Sequence, residues 1–140
     1  MNKKKIQTTL ALMLLAASTQ LWAHGDVVPQ AVNTDGLEPL GEEWLEENPY
    51  RSNPRAIEIG ASAYNQNCAA CHGLEAKSGG IAPDLRLLEL GATGDEWFKE
   101  RVIHGAVRDG RVYMPKMADY LSQEALWAVR SYLESVHVEE

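Results

Sequence analysis

The chain has 140 residues, of which 45% are hydrophobic and 24% are charged. This length favours a single domain, and this composition argues against a chain that is disordered throughout. No apolar run reaches the about 18 residues expected of a membrane-spanning helix, so stable insertion into a membrane is not expected. The formal net charge of −7 argues against nucleic acid as a partner, because Lys and Arg are needed to neutralise its phosphates.

The first 23 residues have the pattern of a secretory signal peptide. Three lysines at 3–5 precede an apolar stretch at 10–17, and a small residue, Ala23, precedes the expected cleavage site. Cleavage would make His24 the first residue and remove three of the 13 basic residues but none of the 20 acidic ones. We therefore expect an exported, periplasmic protein. An uncleaved N-terminal anchor is the alternative, and the polar residues that shorten the apolar stretch argue against it.

Residues 24–54 form an acidic N-terminal arm of irregular structure. The arm contains four prolines and seven acidic residues against one basic residue. Runs of acidic residues are usually solvated, but Trp44, Leu45 and Tyr50 provide apolar anchors. We expect the arm to wrap over the domain that follows at 55–140.

The first strong helix signal begins at residue 53. Asn53 is a favourable N-cap and Pro54 is favoured at the first helical position, so a helix is predicted through Asn67. One face of this helix carries small and aromatic residues at helical spacing: Ala56, Gly60, Ala63, Tyr64 and Asn67.

Three further segments of helical character follow along the chain. A short helix is predicted over 84–90, and a capping box at 93–96 predicts a helix from there to about His104. Ser122 is predicted to cap the last helix. Residues 105–119 are expected to be mostly loop, and no alternation of apolar and polar residues predicts a sheet.

The two cysteines lie in the sequence Cys68-Ala69-Ala70-Cys71-His72, which is the C-x-x-C-H pattern of haem c attachment. On a helix the two thiols and the imidazole share one face. Both thiols can then add to the haem vinyl groups while the imidazole binds the iron. One such motif predicts one covalent haem c.

Two other kinds of site use similar residues. A thioredoxin-like dithiol also has the C-x-x-C spacing, but it needs a βαβ context that the predicted elements do not provide. A zinc site would need a fourth ligand beyond Cys68, Cys71 and His72. Covalent haem c is therefore the preferred interpretation.

The second axial position on the iron needs a ligand from elsewhere in the chain. Beyond the expected signal peptide there are two methionines, and both lie in one loop punctuated by Gly and Pro. We predict Met114 as the ligand because Pro115 stiffens the chain beside it, and we keep Met117 as the alternative. The remaining candidates are His104 and His137.

Residues from about 55 to 136 resemble class I cytochrome c. The helix signature of that family, Gly-x-x-x-aromatic-x-x-x-Cys-x-x-Cys-His, is matched from Gly60 and Tyr64 to His72. The resemblance implies an all-α fold in which helices pack around one covalent haem and the first and last helices cross closely at Gly60. It also implies that the carbonyl of Pro83 orients the histidine that binds the iron.

The flanking sequences narrow this resemblance. Segments 24–32, 36–51 and 95–117 resemble the small periplasmic cytochromes c that accept electrons from PQQ-dependent (quinoprotein) ethanol dehydrogenases. This implies a monomeric one-electron carrier, not an enzyme, which passes electrons to an oxidase or another cytochrome of the respiratory chain. A carrier for another dehydrogenase or oxidase is one alternative, and a haem enzyme or gas-binding protein with an open iron site is another.

Overall fold

The computed structural model describes residues 28–139. The predicted signal peptide at 1–23 and the expected first residue His24 lie outside the described residues. The helices are α1 (Pro54–Asn67), α2 (Ala69–His72), α3 (Gly91–His104) and α4 (Gln123–Ser135). The strands β1 (Ala106–Arg108) and β2 (Arg111–Met114) form an antiparallel hairpin between α3 and α4. Single turns of 3-10 helix lie at Leu74–Ala76, Leu85–Leu87 and Met117–Asp119.

Helix α1 starts and ends where the sequence predicts. The side chain of Asn53 accepts hydrogen bonds from the N–H groups of Arg55 and Ala56, and Pro54 occupies the first turn. The backbone N–H of Cys68 donates to the carbonyl of Tyr64 at 2.8 Å. The chain therefore passes from α1 into α2 with little interruption.

The core is built where α1 crosses α4. A Cβ atom at Gly60 would lie 1.9 Å from the carbonyl oxygen of Ala128, so the helices approach more closely than any side chain permits. Beside this point the rings of Tyr64 and Tyr132 lie 5.4 Å apart. The close crossing expected at Gly60 is confirmed.

The hairpin corrects the prediction for residues 105–119. We expected mostly loop and no sheet, but Val107 pairs with Val112 and Arg108 pairs with Arg111. Most residues of the two strands are exposed, whichever face of the hairpin they lie on. Apolar and polar residues alternate along a strand when one face of the sheet is buried and the other is exposed. Because neither face of this hairpin is strongly buried, its sequence lacks the alternation by which a strand is usually identified.

Helix α3 begins at Gly91, before the capping box predicted at 93–96. The N–H of Gly91 donates to Oε1 of Glu134 at 3.4 Å. A carboxylate from α4, rather than the side chain of Thr93, thus serves the start of the helix, where backbone N–H groups lack partners within the helix. The predicted end of the helix at His104 is confirmed.

Two other predictions for helical segments have different outcomes. Segment 84–90 forms one 3-10 turn, Leu85–Leu87, instead of the short helix that was predicted. The side chain of Asp84 caps this turn, and the backbone becomes extended at Leu88. Ser122 caps α4 as predicted.

The part of the arm that the structure describes before α1, residues 28–53, lies against α4. The side chain of Gln123 accepts a hydrogen bond from the N–H of Leu45 at 2.7 Å and donates to two further carbonyls of the arm. The ring of Trp44 lies 6.2 Å from that of Trp127. These contacts confirm that this part of the arm wraps over the domain.

Charged side chains join the arm to α3 and α4. Arg51 pairs with both Asp95 and Glu134, and the N–H of Asn48 donates to Asp95 at 2.9 Å. Arg130 of α4 belongs to the same cluster.

No helix within the described residues is long and apolar enough to cross a membrane.

Candidate functional site

Cys68, Cys71 and His72 lie together at the junction of α1 and α2. The N–H groups of Cys71 and His72 both bond to the carbonyl of Cys68, at 3.2 and 3.0 Å, which closes one helical turn. The three side chains therefore have the i, i+3, i+4 relation that places them on one face. Cys68 is half-buried, Cys71 is exposed, and both thiols are free.

The environment of the thiols fits neither alternative site. Burial, and secondarily the sulfur of Cys71, raises the pKa of the Cys68 thiol to about 12. A dithiol oxidoreductase depends on a cysteine whose pKa is lowered. Among the residues the structure describes, no group of three His, Cys, Asp or Glu side chains could hold a metal ion, so the donors for a zinc site are missing there.

The ring of His72 is oriented by the backbone of a distant loop residue. Its Nδ1 lies 2.9 Å from the carbonyl oxygen of Pro83. Because a carbonyl only accepts, Nδ1 carries the proton and the lone pair is on Nε2, where it is available to a metal. The predicted contact between Pro83 and His72 is present in the structure.

The chain that follows His72 is held in place from α1. The hydroxyl of Tyr64 donates to the carbonyl of Gly73 at 2.7 Å. Burial raises the pKa of Tyr64 far above its usual range, so the hydroxyl stays a donor. A Cβ atom on Gly73, where φ is +86°, would lie 1.9 Å from the carbonyl oxygen of Lys77, so the tight turn requires glycine.

The two candidate methionines occupy different environments. Met114 ends β2 and is half-buried, whereas Met117 is 5% exposed and belongs to the core. A Cβ atom on Gly105 would lie 2.5 Å from the carbonyl oxygen of Met114, so the end of α3 packs directly on this strand end. Met114 thus lies on a different element from the Cys68–His72 turn.

The two candidate histidines also differ in how far they are exposed to solvent. His104 is exposed at the end of α3, with its Nε2 3.6 Å from Glu100. His137 is half-buried beyond α4, and its Nδ1 has no hydrogen-bond partner among the described residues. Each lies outside the turn that holds His72.

Large apolar side chains are exposed in two segments of the chain. They are 62–81% exposed and comprise Leu74 and Ile81 after the motif, and Val107, Val112 and Tyr113 on the hairpin. Apolar side chains exposed in groups usually mark a surface that binds another apolar group. The two thiols and the oriented imidazole, with the exposed apolar residues Leu74 and Ile81 in the segment that follows them, fit a large apolar prosthetic group such as haem.

Polar residues that were not predicted as part of the site hold the loop that carries Pro83. The backbone N–H of Ser78 donates to the carboxylate of Asp84, and Arg86 forms an ion pair with the same carboxylate at 2.7 Å. The signal that could have identified them is the spacing of Asp84 and Arg86, which allows a local ion pair next to a proline.

Comparison with known proteins gives one family match and several similar relatives. Residues 55–133 match the family described as Cytochrome C oxidase, cbb3-type, subunit III. The chain is 71% identical over 145 aligned positions to cytochrome c550 of Pseudomonas aeruginosa, and the alignment covers both proteins completely. The quinohemoprotein alcohol dehydrogenase ADH-IIG of Pseudomonas putida is 40% identical to the chain over 86 residues. These residues are 61% of this chain but only 11% of that enzyme.

A more distant match covers 55% of the chain and 52% of the chloroplastic cytochrome c6 of Chlamydomonas reinhardtii, at 37% identity. No solved structure matches the chain.

Proposed function

The chain belongs to the cytochrome c family, and we propose that it is a periplasmic carrier that takes single electrons from a PQQ-dependent alcohol dehydrogenase. Members of this family bind haem c covalently, and the full-length relative is a cytochrome c550. The chain is accordingly a c-type electron carrier with one haem. The observation that carries the proposal is the turn on which two free thiols and an oriented imidazole share one face.

Cys68 and Cys71 would hold the haem through thioether bonds, and Nε2 of His72 would bind its iron. The contact of Nδ1 with Pro83 supports this assignment because it leaves Nε2 unprotonated. Bound haem supplies one-electron redox chemistry. The residues of the chain would attach it through two thiols and orient the imidazole that binds its iron.

Met114 would fill the second axial position. Met117 is already part of the core, where it packs as an ordinary apolar residue. At the end of the hairpin Met114 pairs with Ala106, across a register irregularity from the pair of Val107 and Val112. With His72 and Met114 as protein ligands, the iron would have no position left for a substrate or a gas, and methionine ligation would favour a high reduction potential. Both properties suit an acceptor of electrons.

The proposed donor is suggested by the quinohemoprotein alcohol dehydrogenases. A segment of each of two such enzymes from Pseudomonas putida is similar to this chain, at 40% and 32% identity. In those enzymes the cytochrome segment is part of the dehydrogenase chain. We infer that this cytochrome takes electrons from a PQQ-dependent alcohol dehydrogenase and passes them to an oxidase or another cytochrome.

The experiment begins with the protein exported by cells that attach haem c. Mass spectrometry after acid–acetone extraction should give the chain that begins at His24 plus one haem, and the double variant Cys68→Ala/Cys71→Ala should give the chain alone. Anaerobic mixing with an alcohol-reduced PQQ dehydrogenase should then reduce the wild-type protein in a stopped-flow spectrometer. Haem lost from the wild type on extraction would contradict the attachment. An attached haem that the dehydrogenase does not reduce would contradict the partner.

A further inference from the structure

Ser78 contacts the chain on both sides of Pro83. Its hydroxyl donates to the carbonyl of Ala82 at 2.5 Å, and its N–H donates to Oδ2 of Asp84 at 3.3 Å. Pro83 itself has no N–H and a fixed φ, so its carbonyl is positioned by the residues on either side. Ser78 therefore determines where this carbonyl lies relative to Nδ1 of His72.

Arg86 holds the other side of the same carboxylate. Its Nε donates to Oδ1 of Asp84 at 3.0 Å and its Nη2 donates to Oδ2 at 2.7 Å. Such two-point contacts are directional as well as strong. The carbonyl of Arg86 in turn accepts from the N–H of Val138 at 3.1 Å, which ties this region to the chain after α4.

Hydrogen bonds from the side chain of Arg86 hold the pKa of Asp84 at about 2. The carboxylate is therefore ionised throughout the physiological pH range. Ser78 is only half-buried and lies outside the core, so its hydroxyl has no share in the packing of α1 against α4. The shared result of the contacts of Ser78 and Asp84 on the two sides of Pro83 is a fixed position for the Pro83 carbonyl.

We propose that Ser78 and Asp84 are positioning residues that fix the hydrogen bond between Pro83 and His72 and so set the reduction potential of the haem iron. The inference rests on the proposed function, in which His72 binds the iron. A carbonyl that accepts from Nδ1 makes the imidazole a stronger electron donor. A stronger donor stabilises the ferric iron and lowers the potential, so a loosened carbonyl raises it.

The test compares the Ser78→Ala holoprotein with the wild type. The reduction potential should rise by the equivalent of about a three- to tenfold change in the oxidation equilibrium, as expected for a weakened hydrogen bond. A tenfold change corresponds to about 59 mV for a one-electron couple. In proton NMR spectra of the ferrous protein, the Nδ1 proton of His72 should exchange faster with solvent. Ser78→Thr retains the hydroxyl and should restore both values.

Ser62→Ala is the matched control. Ser62 is exposed on α1, and within residues 28–139 its hydroxyl bonds only to Gln66. Asp84→Asn removes the charge on the other side of Pro83 and should shift the potential in the same direction as Ser78→Ala. The proposal is overturned by an unchanged potential in both loop variants, by unchanged exchange of the His72 proton, or by an equal shift in Ser62→Ala.

Failure of the proposed function would be visible before any variant is compared. It would appear as a wild-type protein without covalent haem, or with a haem that His72 does not bind. Failure of the present inference would appear as an intact wild-type cytochrome whose potential does not depend on Ser78 or Asp84.

Discussion

Arg130 and Asp95 form an ion pair in which neither side chain is exposed, with 2.7 Å between Nε and Oδ1. Buried ions are tolerated only when several partners replace their water. Arg130 also donates to the carbonyl of Glu89 and pairs with Glu134 at 3.2 Å. Its Nη1 has no partner among the described residues, so the network cannot lose a further contact without cost.

Replacing Asp95 by Asn should strongly destabilise the protein. The change leaves the shape nearly intact but removes the charge of one of the two carboxylates that pair with the buried Arg130. We expect the free energy of unfolding to fall by about 3–5 kcal/mol, measured by denaturant titration of the holoprotein. The control is Glu58→Gln, which breaks the exposed pair with Arg55 and should cost less than about 1 kcal/mol. Equal losses in the two variants would contradict the role given to the buried pair.

Gly60→Ala tests the crossing of α1 and α4. The added Cβ would meet backbone atoms of Ala128, which cannot rotate away as a side chain could. We expect a loss of about 1–3 kcal/mol in the free energy of unfolding. Gly79→Ala is the control because nothing lies within 4 Å of the added atom. A Gly60→Ala protein as stable as Gly79→Ala would show that the helices do not approach as described.

The attachment of the arm should weaken in alkaline solution. Tyr50 is 4% exposed and its hydroxyl donates to the carbonyl of Glu38. Burial raises its pKa from 10 to about 12, with smaller contributions from Glu124 and Glu38. A raised pKa stabilises the folded state below pH 10, and this contribution is lost as the pH rises from 10 to 12.

The corresponding measurement is the free energy of unfolding of the wild type and of Tyr50→Phe between pH 8 and pH 12. The wild type should lose stability more steeply above pH 10, because only its residue 50 can ionise. Parallel curves for the two proteins would show that Tyr50 is not the group responsible.

Features set by neighbouring residues could be predicted from the sequence. The Asn53-Pro54 start of α1, the Ser122 cap of α4 and the Cys68–His72 turn each depend on residues a few positions apart. The hairpin was missed although its signal is present. Asp109 and Gly110 both have positive φ and form the two-residue turn that such hairpins favour.

Features that depend on distant residues could not be predicted in this way. Asp95 and Arg130 are 35 positions apart, and Gly91 and Glu134 are 43 positions apart. Their contacts depend on which face of α4 lies against α3, and helical periodicity within either segment does not specify this.

The acidic arm should speed the encounter with a dehydrogenase that presents a basic surface. Changing Glu42, Glu43, Glu46 and Glu47 to Gln should lower the second-order rate constant at low salt and flatten its dependence on salt. The reason is that the Debye length falls from about 10 Å at 0.1 M to about 3 Å at 1 M, so exposed charges no longer act at a distance.

Turnover at saturating cytochrome should be unchanged in this fourfold variant, because the haem-binding residues are untouched. Of the four, Glu46 pairs with Lys99, so a single Glu46→Gln variant shows whether that contact alone accounts for the effect. An unchanged rate constant at low salt in the fourfold variant would eliminate steering by the arm.

The absorption spectrum of the oxidised holoprotein tests most directly whether this is an electron carrier with a closed iron site. We expect a low-spin spectrum with the weak band at the red end that accompanies iron–methionine bonding. The band should disappear in Met114→Ala and persist in Met117→Ala, which should instead lose about 2–5 kcal/mol of stability through the cavity left in the core. A high-spin spectrum in the wild type would contradict the closed site, and loss of the band in Met117→Ala alone would contradict Met114 as the ligand.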